Sequence, residues 1–138
     1  MTKLTPERLR EQRIAGFLQI ADEEFRAAEK LVDVLPRQAA YMMQQSIEKT
    51  LRAVLERDCI PVGPSHNIAN LVTLLRTPHA LSTEFLAFDD LSAASTRYRY
   101  PNEKGIVAEP DLKLLPGRLK PLMELRQRAI AYIKPTVF

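Results

Sequence analysis

Apolar residues recur every three or four positions over most of this chain, the period of helices buried along one side. From Leu9 they run through Ile14, Phe17, Leu18, Ala21, Phe25, Ala28, Leu31, Val32 and Leu35. Thr5, Pro6 and Glu7 form a start signal, because a threonine hydroxyl caps free N–H groups and proline is tolerated at the first helical position. Pro36 turns the chain, and a second helix follows with Ala40, Met43, Ile47, Leu51, Val54 and Leu55 inward. Gln44, Glu48, Arg52 and Glu56 are expected on its opposite, solvated face, paired weakly four residues apart. So short a connection predicts an antiparallel hairpin.

Two prolines and a glycine between Asp58 and Ser65 read as a loop. Ser65 is expected to cap a short third helix with Ile68, Leu71, Val72 and Leu75 inward, closed by Pro78. Ser82 or Thr83 opens a fourth helix whose inner face is Phe85, Phe88, Leu91, Ala94 or Ser95, and Tyr98, and Pro101 stops it. Residues 100–111 form a loop before a last helix carrying Leu119, Met123, Arg126, Ile130 and Ile133. Pro116, Gly117 and Pro121 leave the start of that helix open. There is no alternating strand pattern and no internal repeat. The expected fold is all-α, an antiparallel up-and-down bundle of four to five helices in one domain over residues 1–138, with residues 1–8 prone to fray.

Composition narrows the function classes. With 46% apolar and 27% charged residues the chain can bury a core, so general disorder is a poor description. The single cysteine, Cys59, cannot form an internal disulfide. The polar N-terminus is unlike a signal peptide, and no apolar run approaches the ~18 residues of a membrane span, so a cytoplasmic protein without membrane contact is expected. A net charge of +3 admits an anionic partner without requiring one. The basic residues near the ends are Lys3, Arg8, Arg10 and Arg13, and Arg118, Lys120, Arg126 and Arg128. Glu7, Glu11 and Glu124 interrupt them, so neither stretch is a clean phosphate-binding stripe.

Four segments stand out in order: Ala21-x-x-x-Phe25-x-x-Ala28, the helix from Tyr41 to Leu55 with its Gln, Glu-Lys and Leu-Arg-Ala elements, His66-Asn67-Ile68-x-x-Leu71, and Tyr98-Arg99-Tyr100-Pro101-Asn102. Together they resemble the HEPN domain family. The third has asparagine where the family usually has aspartate. The resemblance covers about residues 14 to 134. It implies a small helical domain associated with nucleotide or nucleic-acid chemistry. Family ribonucleases are toxins or defence effectors; they use an arginine followed a few residues later by a histidine, and act as dimers whose motifs face each other. Members without that motif serve as binding domains, often beside a small nucleotidyltransferase.

The candidate arginines are Arg97 and Arg99, and the residues after them, through Gly105, include no histidine to accept a 2'-hydroxyl proton. His66 matches a recurring family position, either as a replacement base or as an anchor for the third helix. His79, beside Pro78, is expected to be a solvated loop residue. The expected ligand-binding set is Gln45, Glu48, Lys49, Arg97, Tyr98, Arg99 and Tyr100. Guanidiniums with phenols can grip a phosphate and stack on a base, but alternate helix residues cannot share a face, so one tyrosine should be core and one arginine could simply pair with Asp89, Asp90 or Glu103. Cys59, His66 and His79 have no metal-ligand spacing, so neither a metal nor a cofactor is expected. The leading reading is a non-catalytic HEPN-like homodimer of the non-toxin type that binds nucleotide or RNA. Two others stay open: a divergent toxin-like ribonuclease using Arg97 or Arg99, and a structural adaptor for a nucleotidyltransferase.

Overall fold

The computed structural model describes residues 3–65 and 67–137, with side chains as far as 134. Its elements are α1 (Pro6–Leu31), α2 (Pro36–Arg57), α3 (Ile68–Val72), α4 (Ser82–Leu86), a 3₁₀ segment (Asp89–Ser95) and α5 (Leu119–Val137), the last entered through a 3₁₀ turn at Pro116–Arg118. The fold is all-helical, without a strand among the described residues. No helix among them is long and apolar enough to cross a membrane.

Thr5 caps α1 as its sequence predicts, its hydroxyl accepting from the Arg8 N–H at 3.2 Å. Pro36 occupies the first turn of α2, and the two helices close into the expected hairpin. They approach closely because Ala21 and Ala28 face α2 with no side-chain bulk, and the Ser46 hydroxyl donates to the Ala21 carbonyl at 2.7 Å. α2 is the hub, packing against α1, α3, the 3₁₀ segment and α5. Met43, Ile47, Leu51, Val54 and Leu55 are fully buried. Burial continues around the helix, however, to Gln44, Ser46, Glu48 and Thr50. The face expected to be solvated is therefore largely inside, because α3 and the 3₁₀ segment cover what a two-helix hairpin would leave exposed.

α2 ends in a Schellman-type closure. Ile60 N–H donates to the Leu55 carbonyl at 2.9 Å and Cys59 N–H to Glu56 at 3.0 Å. Cys59 takes the left-handed position (φ 59°) that glycine or asparagine usually fills, a conformation that costs a side-chain-bearing residue about 1 kcal/mol.

Three local expectations need correction. Asn67, not Ser65, caps α3: its side chain accepts from the Asn70 N–H at 3.1 Å, while the Ser65 hydroxyl accepts from the Asn67 N–H one step earlier. The predicted fourth helix is broken into α4 and the 3₁₀ segment. Asp89 and Ser92 turn their side chains toward α3, accepting from the Ala69 and Ile68 N–H groups at 3.1 and 3.0 Å. Ser95 donates back to the Ser92 carbonyl, and such side-chain bonds compete with a regular helix. In α5 the buried stripe is Leu122, Leu125, Arg126, Ala129 and Ile133, whereas Met123 is exposed. Both sides of that helix are apolar enough to be buried, and packing against α1 and α2 chooses between them.

His79 is also not a solvated loop residue, its side chain being only 6% exposed. Its Nδ1 accepts from the Leu81 N–H, and its Nε2 faces Asp58 Oδ2 at 3.3 Å, within ion-pair distance but misaligned for a hydrogen bond. The bond that does form to Asp58 comes from the Tyr132 hydroxyl at 2.6 Å. This cluster ties the end of α2 and the loop before α4 to α5. The Tyr132 phenol is pushed up to about 12, first by its hydrogen bond to Asp58 and then by burial. The folded protein thus holds this proton after the unfolded chain has lost it, and the stabilisation is complete below pH ~10 and disappears as pH rises toward 12. Tyr132→Phe is expected to lower stability by about 1 kcal/mol at neutral pH and to flatten the alkaline decline. Thermal melts across that range check it; an unchanged decline would exclude Tyr132 as its source.

Candidate functional site

The segment after the 3₁₀ stretch carries the candidate residues on turns instead of a helix. Arg97 N–H donates to the Ala93 carbonyl at 2.7 Å, and the Arg99 and Tyr100 N–H groups both donate to Thr96. This geometry points Tyr98 toward the core, where it is half-buried, and leaves Arg97, Arg99 and Tyr100 exposed. The Arg99 guanidinium lies over the ring of Tyr41 at 4.5 Å and near that of Tyr100 at 5.5 Å. The Arg97 guanidinium has no hydrogen bond or ion pair with another described residue, and lines a cavity of about 570 Å³ with Tyr100, Asn102 and Ile106. A neighbouring cavity of about 360 Å³ is lined by Arg37, Tyr41, Tyr98, Arg99 and Val107.

The loop beneath these cavities is closed on itself. Asn102 Oδ1 accepts from the Lys104 and Ile106 N–H groups, both at 2.9 Å, and the Asn102 N–H donates to Ile106. Gly105 supplies the positive φ of 77° that this turn requires. Arg37 holds the loop to α2 through Glu109 at 3.0 Å. Neither Asp89 nor Asp90 pairs with the candidate arginines: Asp89 serves α3, and Asp90 takes two bonds from Arg118 at 2.8 and 3.0 Å. The hydrogen bonds from Arg118 hold the Asp90 carboxyl below the usual range against its partial burial.

Gln45, Glu48 and Lys49 belong to a different arrangement, a polar seam inside the bundle. Gln45 donates to Gln44 at 2.6 Å, Gln44 to Glu48 at 3.2 Å, and Arg52 to Glu48 at 3.1 Å and to the Ser65 carbonyl at 2.8 Å. Lys49 bonds both oxygens of Glu24 on α1, at 2.8 and 2.7 Å, and also Gln45. Burial pushes the Glu24 carboxyl up, against the pull of Lys49. Glu48 is only 4% exposed, and none of these three lines the cavities at Arg97 and Arg99. The two halves of the expected set meet only at Tyr41, which stands one turn before Gln45 and receives Arg99. Tyr41, in the sequence only the first residue of the second motif, is thus a site residue, and its i,i+4 relation to Gln45 is the signal for it.

A family model for the HEPN domain matches residues 14–114. The chain belongs to the HEPN domain family. No curated protein and no solved structure matches it. The match takes in all four motif segments and ends ahead of α5. The histidines of this HEPN domain, His66 and His79, both precede Arg97 and Arg99, so neither arginine is followed by one in the chain. His79 sits at the Asp58 end of α2 and Arg99 at the Tyr41 end, separated by about 25 Å at 1.5 Å per residue. It cannot act as base for the same arginine pair. His66 lies outside the described residues. Among those residues no three His, Cys, Asp or Glu side chains gather into a metal-binding group.

Glu48→Ala would leave the buried Arg52 guanidinium and the Gln44 amide without their shared acceptor. We expect a loss of about 3 kcal/mol or more, as for removing one partner of a buried ion pair. Urea unfolding measures it; a loss under ~1 kcal/mol would show that the seam is hydrated instead of sealed.

Proposed function

We propose that this HEPN domain binds a nucleotide or a nucleic-acid strand through its phosphates without cleaving it, and does so as a homodimer of the non-toxin type. The observation that carries the reading is Arg97, an exposed guanidinium with no ion pair to a described residue, beside Tyr100 and a cavity. A cation next to an aromatic face suits a phosphate with an attached base. Catalysis needs more. Glu103, on the exposed loop, would be a weak base near neutral pH, and His79 is remote and held by Leu81 and Asp58. The dimer is supported by exposed apolar residues on the same side of the sequence. Tyr100, Ile106, Val107, Leu112 and Leu114 fall within fifteen positions, with Ile106 and Leu114 61% and 65% exposed. Association through them would bring two copies of Arg97 toward one groove.

Binding is expected with labelled single-stranded RNA at low salt, with the RNA intact after long incubation. Arg97→Ala should weaken it several-fold and reduce the salt slope by about one. Cleavage abolished by Arg97→Ala or Arg99→Ala would establish the ribonuclease reading instead. Absence of any RNA or nucleotide binding would turn the search to a protein partner such as a nucleotidyltransferase.

For the dimer, Ile106→Asp combined with Leu114→Asp should yield monomers by light scattering and lower RNA affinity with them. A monomeric parent protein would remove the shared-groove model.

A further inference from the structure

At the other end of α2 the structure holds a second group of arginines, Arg10 and Arg13 beside the seam's Arg52, that the Arg97 cavity does not explain. A cleft of about 470 Å³ lies between the first turns of α1 and the last turns of α2, closed by residues 59–62. Arg10 and Arg13, three apart on α1, reach it from one side and Arg52 of α2 from the other. The single carboxylate in its lining is Glu56, which binds Arg13 Nε at 2.9 Å. Arg10 has no ion pair with a described residue, and its Nε is buried with no hydrogen-bond partner. A buried guanidinium N–H is ordinarily satisfied, so this one calls for an acceptor that the described residues do not supply. Phe17 and Ile60, both partly buried against the core, give the cleft an apolar side.

We infer that this cleft is an anion site for the phosphate group of a small phosphorylated molecule. The three guanidiniums face Glu56 and, through Arg52, Glu48, which leaves one positive charge in excess, that of Arg10. Their planar N–H forks match phosphate oxygens in pairs, and the apolar side accommodates the body that carries the phosphate. A concave site of this volume is in the range that encloses a small ligand. The site is independent of the Arg97 reading: Arg52 lies eleven residues beyond Tyr41, about 16 Å along α2. Along the chain Arg10 and Arg13 stand among interrupted basic residues, some forty positions from Arg52.

Cys59 lines the same cleft, is exposed, and is the only cysteine in the chain, so it serves as a built-in reporter. The full-length protein is alkylated with uncharged iodoacetamide in the presence of pyrophosphate, ATP, adenosine or a short RNA. Pyrophosphate and ATP are expected to slow alkylation, adenosine to leave it unchanged. Arg10→Ala should weaken this protection about tenfold, the size of one charge-assisted contact, while Arg97→Ala leaves it intact. Glu56→Gln, which removes the competing carboxylate, should strengthen it and provides a second arm should Arg10→Ala disturb α1. Alkylation unaffected by millimolar pyrophosphate and ATP would overturn the inference, as would equal protection by adenosine. Protection by RNA alone would assign the cleft to a polymer instead.

Discussion

Enclosure of α2 is the constraint on which the rest of this molecule depends. A 22-residue helix touched by α1, α3, the 3₁₀ segment and α5 keeps only a narrow, partly exposed stripe through Gln45, Lys49 and Arg52, and its middle turns bury Gln44, Ser46, Glu48 and Thr50. The polar residues that its sequence places there must then find partners within the protein, since an unsatisfied buried polar group costs several times what a typical hydrogen bond contributes. The seam from Gln45 through Gln44 and Glu48 to Arg52 is that solution, and it extends outward to Glu24 through Lys49 and to the backbone at Ser65. Such a seam resists sliding of the helices in a way that a purely apolar interface does not, because each bond is directional.

The seam also determines what remains for binding. Charges drawn into it are spent on architecture: Glu48 and Lys49 are both committed. The cations that remain are displaced to the two ends of α2. At one end Arg99 rests on Tyr41 while Arg97 projects with no ion pair to a described residue. At the other, Arg10 and Arg13 of α1 flank a cleft that the seam's Arg52 also lines. The surface around each end is fixed by clamps that are individually weak at exposed positions but act on short segments: Arg37 with Glu109, Arg118 with Asp90, and Arg128 with Glu84. Arg37 with Glu109 holds the long non-helical stretch from 96 to 115 to α2, Arg118 with Asp90 joins the turns on either side of it, and Arg128 with Glu84 ties α5 to α4. Arg126, buried over Phe25 and bonded to Asp22, does the same for α5 against α1.

The loss of a helical fourth element has a functional consequence. A continuous helix through Arg97 and Arg99 would have placed them on opposite sides, with their spacing fixed at 100° per residue. The 3₁₀ and turn geometry instead sends Tyr98 inward and lets the three flanking residues share the outer surface. The break arises at Asp89 and Ser92, whose side chains satisfy the first N–H groups of α3. A capping need in one element has thus reshaped the site-bearing segment that follows.

The sequence by itself determined the helical class, the α1–α2 hairpin and the family. These rest on local periodicity, on prolines at helix starts and on motifs that are contiguous in the chain, all of which act through neighbours three or four residues apart. It also exposed the missing histidine, because that is a statement about order along the chain. Only the tertiary structure decided which face of α5 is buried, that Gln44 and Glu48 lie inside, that His79 is held by Asp58, and that Arg52 belongs with Arg10 and Arg13. Each of these depends on a helix covering another that is remote in sequence. Periodicity records that a side chain points a certain way around its own axis, and carries no record of what is packed there.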